Sequence, residues 1–142
     1  MDVDPHNETE PSVPLEPAQG LRASPVLLVR DIIPAAEYYR DRLGFTDLVF
    51  YGKPECFCTL RLGAAMLMLS QPQQPTELRP NFRLGHNSID LHLLVDDARR
   101  QHAFCLHNAA DIVVPLRQAP YGMLEFIVRD LDGYGILIGQ NM

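Results

Sequence analysis

Tryptophan is absent from the 142 residues, lysine occurs once, at Lys53, and there are only three cysteines. Each scarcity excludes something. With 12 basic residues against 18 acidic ones and no cluster of lysine and arginine, the chain lacks the cationic surface that a phosphate backbone demands, and no nucleic-acid partner is expected. No stretch reaches the roughly 18 apolar residues of a membrane-spanning helix, so no membrane partner is expected either. Cys56, Cys58 and Cys105 form an odd set without CxxC spacing. Cys56 and Cys58 stand two apart on one strand, a poor geometry for a disulfide. All three are read as reduced thiols, and packing is their simplest role. The N-terminus has neither a basic start nor an apolar segment, so a cytoplasmic protein without a secretory signal is expected. No Gly-rich phosphate loop and no Ser-His-Asp order stands out.

What is present is enough for a core: 46% of residues are hydrophobic and 21% charged, the range of a globular domain. The length fits one domain. The net charge of −6 is mostly a property of residues 1–20, which hold Asp2, Asp4, Glu8, Glu10 and Glu16 with no basic residue; without those five carboxylates the chain carries −1. Residues 1–23 also contain Pro5, Pro11, Pro14 and Pro17. Such a segment cannot bury enough apolar area to offset its chain entropy, and an acidic, disordered or loosely draped tail is expected.

The body repeats itself. Leu67-Met68-Leu69-Ser70-Gln71 is echoed by Ile136-Leu137-Ile138-Gly139-Gln140, 69 residues on, and Leu27-Leu28-Val29-Arg30-Asp31 by Leu93-Leu94-Val95-Asp96-Asp97, 66 residues on. Two copies at that period are no solenoid; they are a duplicated module. Hydrophobic patterning and turn residues give each copy the order βαβββ. In the first, a strand at 25–29 precedes a helix at 34–43, with Asp31 as N-cap, Pro34 in the first turn and Gly44 as the stop. Strands follow at 45–51, 56–62 and 65–71. Residues 72–87, with Pro72, Pro75 and Pro80, connect the modules. In the second, a strand at 88–95, a helix at 97–108 capped by Asp96 or Asp97, and strands at 111–117, 121–129 and 134–140 repeat the order. The modules span 24–71 and 88–141, and the whole domain 24–142.

Three stretches carry a resemblance. Val29-Arg30-Asp31 followed by Tyr38-Tyr39-Arg40-Asp41-Arg42-Leu43-Gly44-Phe45 is an opening motif. Tyr121-Gly122-Met123-Leu124-Glu125-Phe126 is a strand motif, and Asp130-Leu131-Asp132-Gly133 a closing turn with Leu131 where proline is usual. With the tandem βαβββ order, they resemble the vicinal oxygen chelate superfamily, which includes glyoxalase I, extradiol dioxygenases and fosfomycin- and bleomycin-resistance proteins. The bleomycin-resistance-like branch is the nearest. The resemblance implies an α+β fold in which the modules form an eight-stranded open-barrel cup, commonly in a homodimer. Each motif also has a plain structural role in helix packing or turn formation, so the motifs speak for fold before chemistry.

The resemblance also implies where a metal would sit: four cup positions, here occupied by Ser24, Met68, Asp90 and Leu137. Metal-using members draw those ligands from His, Glu and Gln. A hard divalent ion needs several anionic or imidazole ligands; Leu137 offers none and Met68 a soft thioether. No metal and no other cofactor is therefore expected. The alternative is a non-standard divalent site built on Asp90 and His92, which share one face of a strand.

Without a metal the cup becomes a binding cleft. The candidate ligand-binding residues are Asp90, His92, Met66, Met68, Glu125, Tyr121 and Phe50, with Ser88, Leu94 and Ser70 on the same faces and Tyr51 and Phe126 as further aromatics. Glu125, set among apolar strand residues, is either solvent-facing or a buried carboxylate aimed at a ligand. Methionines adapt to irregular shapes, and carboxylates with aromatic walls suit a cationic or aromatic small molecule. The reading is a metal-free small-molecule-binding protein that sequesters a drug or metabolite, as antibiotic-resistance proteins of this type do. Whether it is an enzyme stays open. One alternative is a metal-dependent lyase, isomerase or dioxygenase using the non-standard site. Another is a non-catalytic interaction module with the acidic tail as its contact element.

Overall fold

A computed structural model describes residues 17, 18, 20–74, 78, 80 and 89–142. The expectations for residues 1–16, for Ser88 and for most of the connection between the modules lie outside the described residues. The chain runs β1 (Val26–Leu28), α1 (Ile32–Leu43), β2 (Thr46–Tyr51), β3 (Phe57–Leu62), β4 (Ala65–Ser70), β5 (Leu91–Leu94), α2 (Ala98–His107), β6 (Asp111–Ala119), β7 (Met123–Arg129) and β8 (Gly135–Asn141). The strands form two four-stranded sheets of identical order, β1-β4-β3-β2 and β5-β8-β7-β6. In each, the first strand pairs in parallel with the last and the other pairs are antiparallel. This is the expected α+β fold of tandem βαβββ modules. The sheets are cup-like but not closed into a barrel.

Local chemistry explains the helix ends, with one correction. Asp31 stands at the N-cap of α1 in an extended conformation but makes no side-chain capping bond. Gln71, at the end of the same module, accepts from Ile32 N at 2.9 Å instead. The helix therefore begins two residues before the expected start, with Pro34 still inside its first turn, where a missing N–H costs nothing. Asp97 does cap α2, accepting from Arg100 N at 3.0 Å. Gly44 ends α1 at φ +85°, a left-handed conformation that favours glycine.

Both helices lie on one side. Tyr39, Phe45, Leu60, Leu67, Leu69, Phe126, Val128, Ile136 and Ile138 are buried in a single cluster spanning both modules. Polar bonds across the junction reinforce it. Tyr39 Oη donates to Asp130 Oδ2 at 2.6 Å and Tyr38 Oη to the Arg129 carbonyl at 2.9 Å. Tyr134 Oη donates to the Leu28 carbonyl at 2.6 Å, and Asp132 Oδ1 accepts from Arg30 N at 3.1 Å. The tyrosine pair and the closing turn are thus the clamp between modules. No helix among the described residues is long and apolar enough to cross a membrane.

Candidate functional site

Cross-strand partners point to the same face of a sheet, so the register sorts every candidate side chain. In the first sheet, Leu27, Leu69, Cys58 and Phe50 form one row across β1, β4, β3 and β2. The first three are buried and Phe50 packs against their cluster, so this row faces the helices. The opposite face carries the rows Val26–Met68–Thr59–Val49 and Leu28–Ser70–Phe57–Tyr51. Phe50 is therefore placed away from the other candidates, which corrects its assignment to the cup. The cause is local. β2 breaks register between Thr46 and Val49, where Asp47 adopts φ +57°. An irregularity of that kind moves the following residues to the other face.

In the second sheet, Phe126 stacks edge-on against His102 of α2, with ring centroids 5.0 Å apart, and so marks the helix side. The outer face holds the rows His92–Leu137–Ile127–Val114 and Leu94–Gly139–Glu125–Arg117. His92 and Met66 line the same cleft of about 210 Å³ between the modules. Met68 follows two residues along β4 on the same face.

Glu125 is the unusual member. It is 1% exposed, on the side away from the helices. Its Oε1 accepts from the Tyr121 hydroxyl and lies 3.4 Å from the Arg117 guanidinium. Its Oε2 is buried and has no hydrogen-bond partner among the described residues. Leaving a buried acceptor unsatisfied costs on the order of 1–3 kcal/mol, more when it is charged, and such groups are few in native proteins. The carboxylate also holds the Tyr121 proton, pushing that phenol above its ordinary range, with burial adding to the effect. Beside Glu125, Gly139 carries no side chain and the Met123 methyl packs over it. A Cβ there would stand 3.6 Å from Glu125 Cβ, 3.6 Å from His92 Nε2 and 2.8 Å from the flexible Met123 Cε. The structure thus gathers His92, Glu125 and Tyr121 on one face. It adds Arg117 and Gly139, which the sequence reading did not single out. A glycine inside a strand is itself a signal of close approach; Arg117 gave none.

The donor set does not fit a hard divalent ion. The register corrects two of the four expected positions: Val26 rather than Ser24 stands opposite Met68, and His92 rather than Asp90 opposite Leu137, so the set holds a thioether, two aliphatic chains and one imidazole. Asp90 is half-buried and its Oδ2 accepts from Gly135 N at 2.9 Å. Among the described residues, no three His, Cys, Asp or Glu side chains come together as a metal-holding group.

Comparison with known proteins returns one family, whose sequence model, the Glyoxalase/Bleomycin resistance protein/Dioxygenase superfamily, matches residues 23–138. Among solved structures, the chain is similar to TioX from Micromonospora sp. ML1, with a TM-score of 0.69 and 21% identity over 87% of this chain and 100% of that one. A glyoxylase/bleomycin resistance protein/dioxygenase domain from Frankia sp. EAN1pec gives a TM-score of 0.67 and 19% identity over 89% and 94%. Virulence protein STM3117 from Salmonella typhimurium gives 0.62 and 25% over 88% and 99%. No match was found among the curated proteins.

Proposed function

The chain belongs to the glyoxalase/bleomycin resistance protein/dioxygenase superfamily, and we propose that within it the protein is a metal-free binder that sequesters a small molecule, in the manner of the bleomycin-resistance-like branch. One observation carries the reading: Leu137 stands directly opposite His92, and Met68 opposite Val26. Of those four positions only His92 offers a donor of the kind metal-using members employ; Val26, Met68 and Leu137 present apolar or soft side chains. What surrounds them suits a ligand of mixed character. Met66, Met68 and Leu94 offer adaptable apolar contact, and His92, Tyr121 and Glu125 offer polar handles.

A second copy of the chain completes the site in this proposal. Val26, Leu28, Val49 and Tyr51 are 51%, 44%, 45% and 52% exposed and lie on one face of the first sheet, which the helices leave uncovered. Four large apolar side chains on one open sheet face favour a partner surface over water. Sedimentation should show a dimer, and Leu28→Asp should shift it toward monomer.

The decisive experiment is metal content. After incubation with nickel, manganese, iron or zinc, the purified protein should hold far less than one ion per chain, unchanged in an Asp90→Ala/His92→Ala double variant. One ion per chain, lost in that variant, would overturn the proposal and make a metal-dependent lyase, isomerase or dioxygenase the leading reading. If the metal result stands, a ligand recovered chemically unchanged after binding separates sequestration from turnover.

A further inference from the structure

We infer that Glu125 anchors a protonated nitrogen of the ligand, an ammonium, amidinium or guanidinium group, and that Arg117 is the resident cation it competes with. This rests on the small-molecule-binding reading and deepens it by naming the chemistry recognised.

The carboxylate is nearly fully buried on the outer face of the second sheet, and one of its two oxygens is already served. Tyr121 donates to Oε1, and the Arg117 guanidinium approaches the same atom at 3.4 Å, a long contact. Oε2 has no donor among the described residues. A buried carboxylate oxygen is satisfied best by an N–H donor, and by a charged one above all.

Access is built from side chains that can yield. The Arg117 side chain is 55% exposed and Tyr121 65%. Above Gly139 the space between Glu125 and His92 is taken by the Met123 methyl group, the far end of a flexible side chain. A flat cation entering there would displace that methyl, meet Oε2, and lie beside the His92 ring and the Tyr121 phenol, which add stacking surface.

Arg117 gives the inference its sign. It is a cation beside the same carboxylate, so it weakens binding of any other cation. Removing Glu125 and removing Arg117 therefore act in opposite directions. A residue that merely packed the strand would not separate them.

The test uses the full chain at pH 8 with two fluorescent probes, 9-aminoacridine as the cation and acridine as its neutral analogue. The wild type should bind the cation more tightly than the analogue. Glu125→Gln should weaken the cation by roughly tenfold or more while leaving the analogue unchanged. Arg117→Gln, at an exposed side chain, should strengthen the cation by about threefold. Should Glu125→Gln fail to fold, the Arg117→Gln result decides alone. Equal binding of the two probes, or weaker cation binding in Arg117→Gln, overturns the Glu125 anchor and leaves the binding reading intact. Failure of the wild type to bind either probe overturns the anchor and counts against the cationic-aromatic binding cleft as well.

Discussion

Gln140 holds the first turn of the helix in its own module: its side-chain oxygen accepts from Ala98 N at 2.9 Å. Gln71 does the same for Ile32 in the first module, also at 2.9 Å. The two glutamines are 69 residues apart and the two helix starts 66, the same offsets that define the internal repeat. The repeated glutamine is thus a tether. It satisfies one of the orphan N–H groups that every helix start exposes, from the C-terminal end of the module's last strand or the residue just after it.

Cutting the tether should cost what a helix cap costs. Gln140→Ala and Gln71→Ala are each expected to lower stability by about 1 kcal/mol. The effects should add in the double variant, because the two bonds share no partner. Chemical denaturation checks this. An unchanged midpoint in both single variants would mean that solvent serves the helix starts equally well.

The clamp between modules predicts an unusual pH dependence. Asp130 accepts from Asp132 N, Tyr134 N and Tyr39 Oη, yet burial dominates and raises its carboxyl from 3.8 to about 6. A folded value above the unfolded one means that the folded state holds the proton more tightly. The stabilisation is fully present below about pH 4 and is lost as pH rises through about 6. Over that window this group alone shifts stability by at most about 3 kcal/mol. Asp132, raised in the same direction by its own burial, adds to it. Asp130→Asn keeps the amide-accepting oxygen and offers Tyr39 a donor. It should flatten the curve and be more stable than the wild type at pH 7.5. A wild-type curve that is flat between pH 5 and 7.5 would refute this account.

The sequence showed the duplicated fold and most of the polar candidates for physical reasons that can be named. βαβββ order is written in local patterning, and Glu125 announces itself as a charge amid apolar neighbours. Facing is not local. Strict alternation from buried Phe45 would send Phe50 to the outer face; the irregularity at Asp47 reverses it. Arg117 was invisible because β6 breaks register twice before it, between Ile112 and Val114 and again before Arg117. Only the paired structure reveals that it meets Glu125. The Asp31 cap failed for a related reason: a distant glutamine competes for the same helix start and wins.

The three thiols should separate by reactivity. Cys105 is fully buried, and burial pushes its thiol up to about 11 against a smaller opposing effect from Gln101. Burial likewise raises Cys58, while Cys56 is only half-buried. Thiolate, not thiol, reacts. Native protein with a disulfide-exchange reagent at pH 8 should release one fast equivalent per chain, and all three after unfolding in guanidinium. Cys56→Ser should abolish the fast phase; two fast equivalents would show that one buried thiol is open to solvent.

Gly139 separates binding from stability in a single substitution. Its backbone carries no positive φ, and the tightest neighbour of an added Cβ, at 2.8 Å, is the far end of a flexible methionine rather than backbone. Gly139→Ala also reduces the freedom of the unfolded chain, a gain of roughly 0.5 kcal/mol that offsets the displacement of Met123. The midpoint of unfolding should therefore barely move. The same methyl, however, occupies the gap between His92 and Glu125, 3.6 Å from each. Binding of the cationic probe should fall severalfold while the fold is intact. If affinity is unchanged in a stably folded Gly139→Ala, the ligand does not enter between His92 and Glu125, and its contacts must be sought along Met66 and Met68 in the cleft between the modules.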